Sequence, residues 1–154
     1  MLFPTHLVAG YLLGRWMGLP LPWVIAGAAL PDLVDKPLAM LGVVELYHTV
    51  GHSIVAAVAL GVLALRGRRW LALWIGVLSH LFLDAFQMVV NGRPEDVRFL
   101  LWPVVHHVPA VQLPPLEFAR YYVGTPAFFA ELALWAIAGA VVLKRYRGAE
   151  SDDP

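Results

Sequence analysis

The chain has 154 residues, enough for one domain, and its 11 basic residues balance 11 acidic ones. That balance argues against nucleic acid as a partner, because phosphate binding draws on a basic surplus. Hydrophobic residues make up 60% and charged residues only 14%, against about 25% charged in a soluble domain. There is too little charge to hydrate a whole exterior, which points to lipid as the solvent. The chain has no cysteine, so disulfides and thiolate ligands are excluded.

In chain order, Met1 to His6 lacks the basic leader and small-residue cleavage site of a signal peptide, so the first apolar segment is expected to stay. Two short apolar stretches follow, Thr5 to Met17 and Pro22 to Leu30. The turn signal Gly18-Leu19-Pro20-Leu21-Pro22 separates them, and together they read as a helical hairpin. Three longer segments, Tyr47 to Leu65, Trp70 to Val90 and Thr125 to Leu143, approach the about 20 apolar residues of a membrane helix. Between the last two, Asn91 to Gly124 mixes prolines with Phe99-Leu100-Leu101-Trp102 and reads as an interfacial or re-entrant loop. A loop of that length points to function. The expected fold is therefore all-α, an integral membrane helical bundle of about five apolar helices. Residues 1–147 form a single transmembrane domain and 148–154 a disordered tail.

Basic clusters set the expected orientation. Arg66-Gly67-Arg68-Arg69 and Lys144-Arg145-Tyr146-Arg147 are two spans apart, and the positive-inside rule places both in the cytoplasm. Working back along the chain, the N-terminus lies outside and the C-terminus inside an inner membrane.

The ionisable residues then gather on the outer side. His6 opens the first helix, and Asp32 and Asp35 lie just past the second, in a segment bounded by Pro31 and Pro37. His48 and His52 fall in the first turns of the third helix, and His80 and Asp84 in the outer half of the fourth. His106 and His107 sit in the long loop, where they read as interfacial residues or helix caps. His48/His52 and His80/Asp84 are i,i+4 pairs, which place two side chains on one helix face about 6 Å apart. Imidazole and carboxylate converging in this way suit a divalent cation. Asp84 lies six residues before Val90, roughly 9 Å along the helix. An unpaired carboxylate that deep is costly, and it needs a cation, a donor or water. Glu131 in the last span reads as a base or as a bond to a neighbouring helix.

The succession of motifs resembles a known family. Pro4-Thr5-His6, Leu30-Pro31-Asp32-Leu33-Val34-Asp35, His48 with His52-Ser53, Ser79-His80-Leu81-Phe82-Leu83-Asp84 and Trp102-Pro103 are similar in order to the membrane-bound metal-dependent hydrolase family of small prokaryotic inner-membrane proteins. A looser similarity is to zinc-dependent phospholipase C. The resemblance implies hydrolysis, with His6, Asp32, His52, His80 and Asp84 as metal ligands and Asp35 and His48 as further ligands or their supports.

The leading expectation is a membrane-embedded hydrolase holding one or two divalent ions, most simply zinc. Asp35 or Glu131 would accept the proton from a metal-activated water, and the substrate would be a phosphoester or lipid headgroup. The main alternative is a metal-ion-binding membrane protein or transporter without hydrolysis. A conduit needs polar residues on the cytoplasmic side, yet Ile54 to Leu65 is apolar throughout. A haem carrier is disfavoured because the acids around His80 suit a hard cation better than a porphyrin.

Overall fold

The computed structural model describes residues 1–151. Among them the chain is all helix and loop: α1 (Phe3–Trp16), α2 (Leu21–Met40), α3 (Ile54–Ala64), α4 (Arg68–Val90), a 3-10 helix (Pro94–Leu101), α5 (Pro115–Tyr122) and α6 (Pro126–Ser151). α6 runs on through the start of the expected tail, and the tail's last three residues lie outside the described ones. α1 and α2 form the expected hairpin, with Gly18 supplying the positive φ of 63° at the turn. α1 also packs on α4 and α6, and α3 and the 3-10 helix pack on α4.

The central pair is α2 with α4. Their backbones meet at Gly27 and Gly76, where a Cβ on Gly27 would fall 1.9 Å from the Leu73 carbonyl oxygen. Only glycine allows that approach, and it brings the acids of α2 to the histidine of α4.

Two expected boundaries differ from the structure. α2 does not end at Leu30 but continues through Pro31 and Pro37 to Met40, so Asp32 and Asp35 are on the helix. An internal proline removes one helix hydrogen bond, and α2 carries two of them while packing closely on α4. The third helix starts at Ile54 rather than Tyr47. The Ser53 hydroxyl accepts from the Ala56 N–H and caps it. Residues 41–53 form an irregular strap, so His48 and His52 are not a helical pair.

Two helices are long and apolar enough to cross a membrane, α4 and the Pro126–Arg145 part of α6. α1 and α3, with 14 and 11 residues, are shorter. α2 has 20 residues but carries Asp32, Asp35 and Lys36. Only 17% of the apolar window of α6 is buried, and Phe129, Leu132, Ile137 and Leu143 face outward. A soluble core helix would hide such residues.

Candidate metal centre

Asp32, His52, His80 and Asp84 are all buried, and each offers a ligand atom within 4.8 Å of the others. Three segments deliver them: α2, the end of the strap and α4. The expected i,i+4 pair on α4 holds, with His80 Nε2 3.2 Å from Asp84 Oδ2.

The same atoms recur in every contact. His52 Nε2 lies 3.1 Å from His80 Nε2. Asp32 Oδ1 is 3.4 Å from His52 Nε2 and 3.7 Å from His80 Nε2. Asp84 Oδ2 is 3.5 Å from His52 Nε2. A tetrahedron with zinc bonds of about 2.0–2.1 Å has edges of about 3.3–3.4 Å. These five distances scatter around that edge and the sixth, between Asp32 and Asp84, is within 4.8 Å, so the donor set is of a size that could hold a small divalent ion.

Both imidazoles are fixed from behind. His52 Nδ1 lies 2.7 Å from Asp35 Oδ2 and His80 Nδ1 2.6 Å from the Ala28 carbonyl oxygen. Each partner can only accept, so each Nδ1 donates and each Nε2 is left facing the cluster. Such partners orient metal-binding histidines. Asp35 also accepts the backbone N–H groups of Thr49, Gly51 and His52 at 2.6, 2.9 and 3.2 Å. This one carboxylate thus folds the strap and aims its histidine. Gly51 lets the strap lie against α2, since a Cβ there would meet the Pro31 carbonyl oxygen at 2.7 Å.

The two remaining expected ligands lie alongside. His6 Nε2 is 3.3 Å from Asp84 Oδ1, and its ring stacks on His80 at 3.8 Å. It is fully buried, and neither ring nitrogen has a hydrogen-bond partner among the described residues. The Met1 ammonium lies 2.7 Å from the same Asp84 oxygen. His48 Nε2 is 3.8 Å from Asp84 Oδ2. Burial, and then the neighbouring His52, pushes the His48 pKa down to about 3. For His52, burial opposes protonation, but the carboxylates of Asp32, Asp35 and Asp84 outweigh it and push the pKa up to about 10. The carboxylates around the His52 ring therefore call for a positive charge, and a proton or a metal ion can supply it.

Asp35 and Glu131, expected as proton acceptors, both lie outside the four-residue cluster. Asp35 stands behind His52. Glu131 accepts from the Thr5 hydroxyl and from the Leu2 N–H at 3.4 Å, while Trp135 Nε1 donates to Thr5 Oγ1 at 3.0 Å. It ties α6 to the start of α1, next to His6. His106 is exposed, and His107 reaches Asp96 at 3.1 Å instead of the cluster.

A cavity of about 340 Å³ opens beside the cluster, with Asp32, His48 and Asp84 in its wall. Lys36, Gln87 and Arg93 also line it, and sequence reasoning gave none of these a site role. The i,i+4 spacing of Lys36 from Asp32, with which it pairs, was the available signal. Arg93 is i,i+3 from its partner Asp96, but both lie in the segment expected to be an irregular loop, so the spacing carried no weight there.

No curated protein and no solved structure matches the chain. A family model described as YdjM inner membrane protein matches residues 1–149. That description names a membrane location and no reaction, and nothing in the comparisons supports similarity to a hydrolase or a phospholipase C. With nearly the whole length matched, the chain belongs to the YdjM inner membrane protein family.

Proposed function

We propose that the protein is a membrane-embedded metal-dependent hydrolase with zinc bound by Asp32, His52, His80 and Asp84. The observation that carries this reading is the near-tetrahedral set of distances among four buried ligand atoms, two of whose residues also face a cavity. When bound, the ion supplies Lewis acidity and makes water a nucleophile near neutral pH. Asp35 and the Ala28 carbonyl hold the two imidazoles in the ligating tautomer. His48 stays neutral in the cavity wall, where its lowered pKa leaves it a polar neighbour of the site and not its base. His6, buried without a hydrogen-bond partner among the described residues, extends the donor set on the far side of Asp84. Glu131 keeps that histidine in place through Thr5.

The hairpin and α3 complete a five-helix membrane bundle with the site at the Val90 end of α4, opposite the basic Arg66–Arg69 turn. The charge bias then places the N-terminus outside and the C-terminus in the cytoplasm.

A second reading also has an observation in its favour. Four protein ligands already fill a tetrahedron, as in structural zinc sites, whereas catalytic zinc keeps a position open. The protein would then bind a metal ion without turnover. The test is elemental analysis of the purified protein followed by assay against a panel of phosphate and carboxylate esters. Stoichiometric metal with hydrolysis lost on chelation and restored by zinc supports the hydrolase. Stoichiometric metal with no turnover on any ester supports the second reading, and a metal-free protein that cannot be loaded overturns both.

A further inference from the structure

The cavity beside the cluster has a composition of its own. Charged groups of both signs line it, Lys36, Arg93 and Met1 on one side of the balance and the carboxylates of Asp32 and Asp84 on the other, and the apolar wall comes from Leu2, Met88 and Phe118. The Arg93 side chain is only 12% exposed. Its Nη1 donates to Asp96 at 2.8 Å, its Nη2 reaches Gln87 Oε1 only at 3.5 Å, and its Nε has no partner among the described residues. A largely buried guanidinium that borders the cavity and whose Nη2 makes only that long contact has donor capacity left for an oxyanion.

The charge balance points the same way, and this step rests on the metal reading above. In the structure Lys36 pairs with Asp32, and the Met1 ammonium with Asp84. A divalent ion on those carboxylates would absorb both negative charges. Lys36 would then be left without a full counter-charge in a largely apolar pocket, a situation that an incoming anion relieves. The volume lies within the usual range for small-molecule sites, about 300–1,000 Å³. The apolar wall adds a requirement that a free anion does not meet, since it would be left uncovered.

We propose that this cavity binds an amphiphile carrying a phosphate group, with the phosphate between Lys36, Arg93 and the metal centre and the chain against Leu2, Met88 and Phe118. For a protein of an inner-membrane family the natural source is a lipid whose phosphate enters the cavity from the bilayer edge. Arg93 is the specificity-determining residue, because its fork selects a tetrahedral oxyanion over a neutral headgroup.

The test is calorimetric binding of water-soluble probes to the purified full chain, with and without added zinc. Phosphonates are used because their carbon–phosphorus bond resists hydrolysis. Hexylphosphonate should bind at least about tenfold tighter than methylphosphonate, since each buried methylene contributes, and at least about tenfold tighter than hexanol. Arg93→Gln and Lys36→Gln should each weaken hexylphosphonate about tenfold while leaving hexanol unchanged. Arg93→Lys, which keeps the charge and loses the fork, should fall between. A melting curve and metal content accompany every variant, and the two independent variants guard against one of them failing to fold. Equal binding of hexanol overturns the anion site, and equal binding of methylphosphonate points to free phosphate and overturns the amphiphile. Metal-replete protein that binds no phosphonate overturns this inference alone. Protein that cannot be loaded with zinc yet binds hexylphosphonate through Arg93 overturns the metal centre, and with it the metal's part in this inference, and leaves the anion contact at Arg93 standing.

Discussion

The Nε2 atoms of His52 and His80 face each other across 3.1 Å, with both Nδ1 atoms already donating, one to Asp35 and one to the Ala28 carbonyl. Two bare lone pairs at that distance repel, so something positive has to stand between or beside them. In a metal-free protein one ring must carry a proton on Nε2. A metal ion replaces that proton and joins the same two nitrogens to Asp32 and Asp84.

Removing either end of this pair should therefore empty the site. The wild-type protein is expected to retain about one ion per chain, and His80→Ala and Asp32→Ala should each retain less than about a tenth of that. The two residues sit on different helices, α4 and α2. Joint loss by elemental analysis, with melting curves still cooperative, shows that one ion joins them. Retention in both variants would remove the cluster as a metal centre.

Asp35 tests orientation as distinct from ligation. Asp35→Asn keeps the size of the side chain but removes the carboxylate that fixes the His52 tautomer. Outer partners of this kind are typically worth about 10- to 100-fold in metal affinity. Competition against a chromogenic chelator should show that drop with stoichiometry unchanged. An unaltered affinity would mean that Asp35 serves only to fold the strap.

The same arrangement fixes a pH dependence. Ligands bind metal only in their deprotonated forms, and the facing nitrogens share a proton when no ion is present. Metal uptake near pH 7 should release about one proton per ion, seen as a buffer-dependent enthalpy in calorimetry. Apparent affinity should fall as the pH is lowered. Uptake without proton release would show that the rings are both neutral beforehand.

How much of this was visible beforehand depended on whether the relevant contact was local. His80 and Asp84 lie one helical turn apart in an apolar run, so helix periodicity alone joins them. Asp32 stood out because an acid is rare in such surroundings. The strap was hidden, because Tyr47 to Leu65 is apolar enough to read as one helix. What breaks that helix is Asp35, which takes three backbone N–H groups 14 to 17 residues along the chain, and no local pattern announces such bonds. The continuation of α2 beyond Pro31 was hidden for a related reason. Its local signal is a stop, and the close packing on α4 that accompanies the continuation joins residues far apart in sequence.

That crossing is itself open to test. A Cβ at Gly27 meets backbone on α4, which cannot swing aside as a side chain would. Gly27→Ala should destabilise the protein by about 1–3 kcal/mol, the usual range for overpacking. It should also weaken metal binding, because separating α2 from α4 moves Asp32 away from His80. A variant with wild-type melting and full metal content would show that the helices do not need this close approach.

Asp96 governs the remaining wall of the cavity. Its carboxylate accepts from Arg93 Nη1 at 2.8 Å, from the Ala110 N–H at 3.0 Å and from His107 Nε2 at 3.1 Å, closing the loop after the 3-10 helix. Burial tends to raise its pKa, but the Ala110 and His107 hydrogen bonds and the Arg93 charge outweigh that and hold it below the ordinary 3.8. A folded-state pKa below the unfolded one gives stability that is fully present above the unfolded value. It is lost as the pH falls through the folded one. Residues 94–114 should therefore stay protected from hydrogen exchange at about pH 5 and loosen only at a pH below the ordinary carboxylate value of 3.8. Asp96→Asn should cost about 1–3 kcal/mol and remove the acid step, leaving the loop equally exposed at both pH values. If the wild-type loop loosens at the same pH as the rest of the bundle, Asp96 is not what holds it.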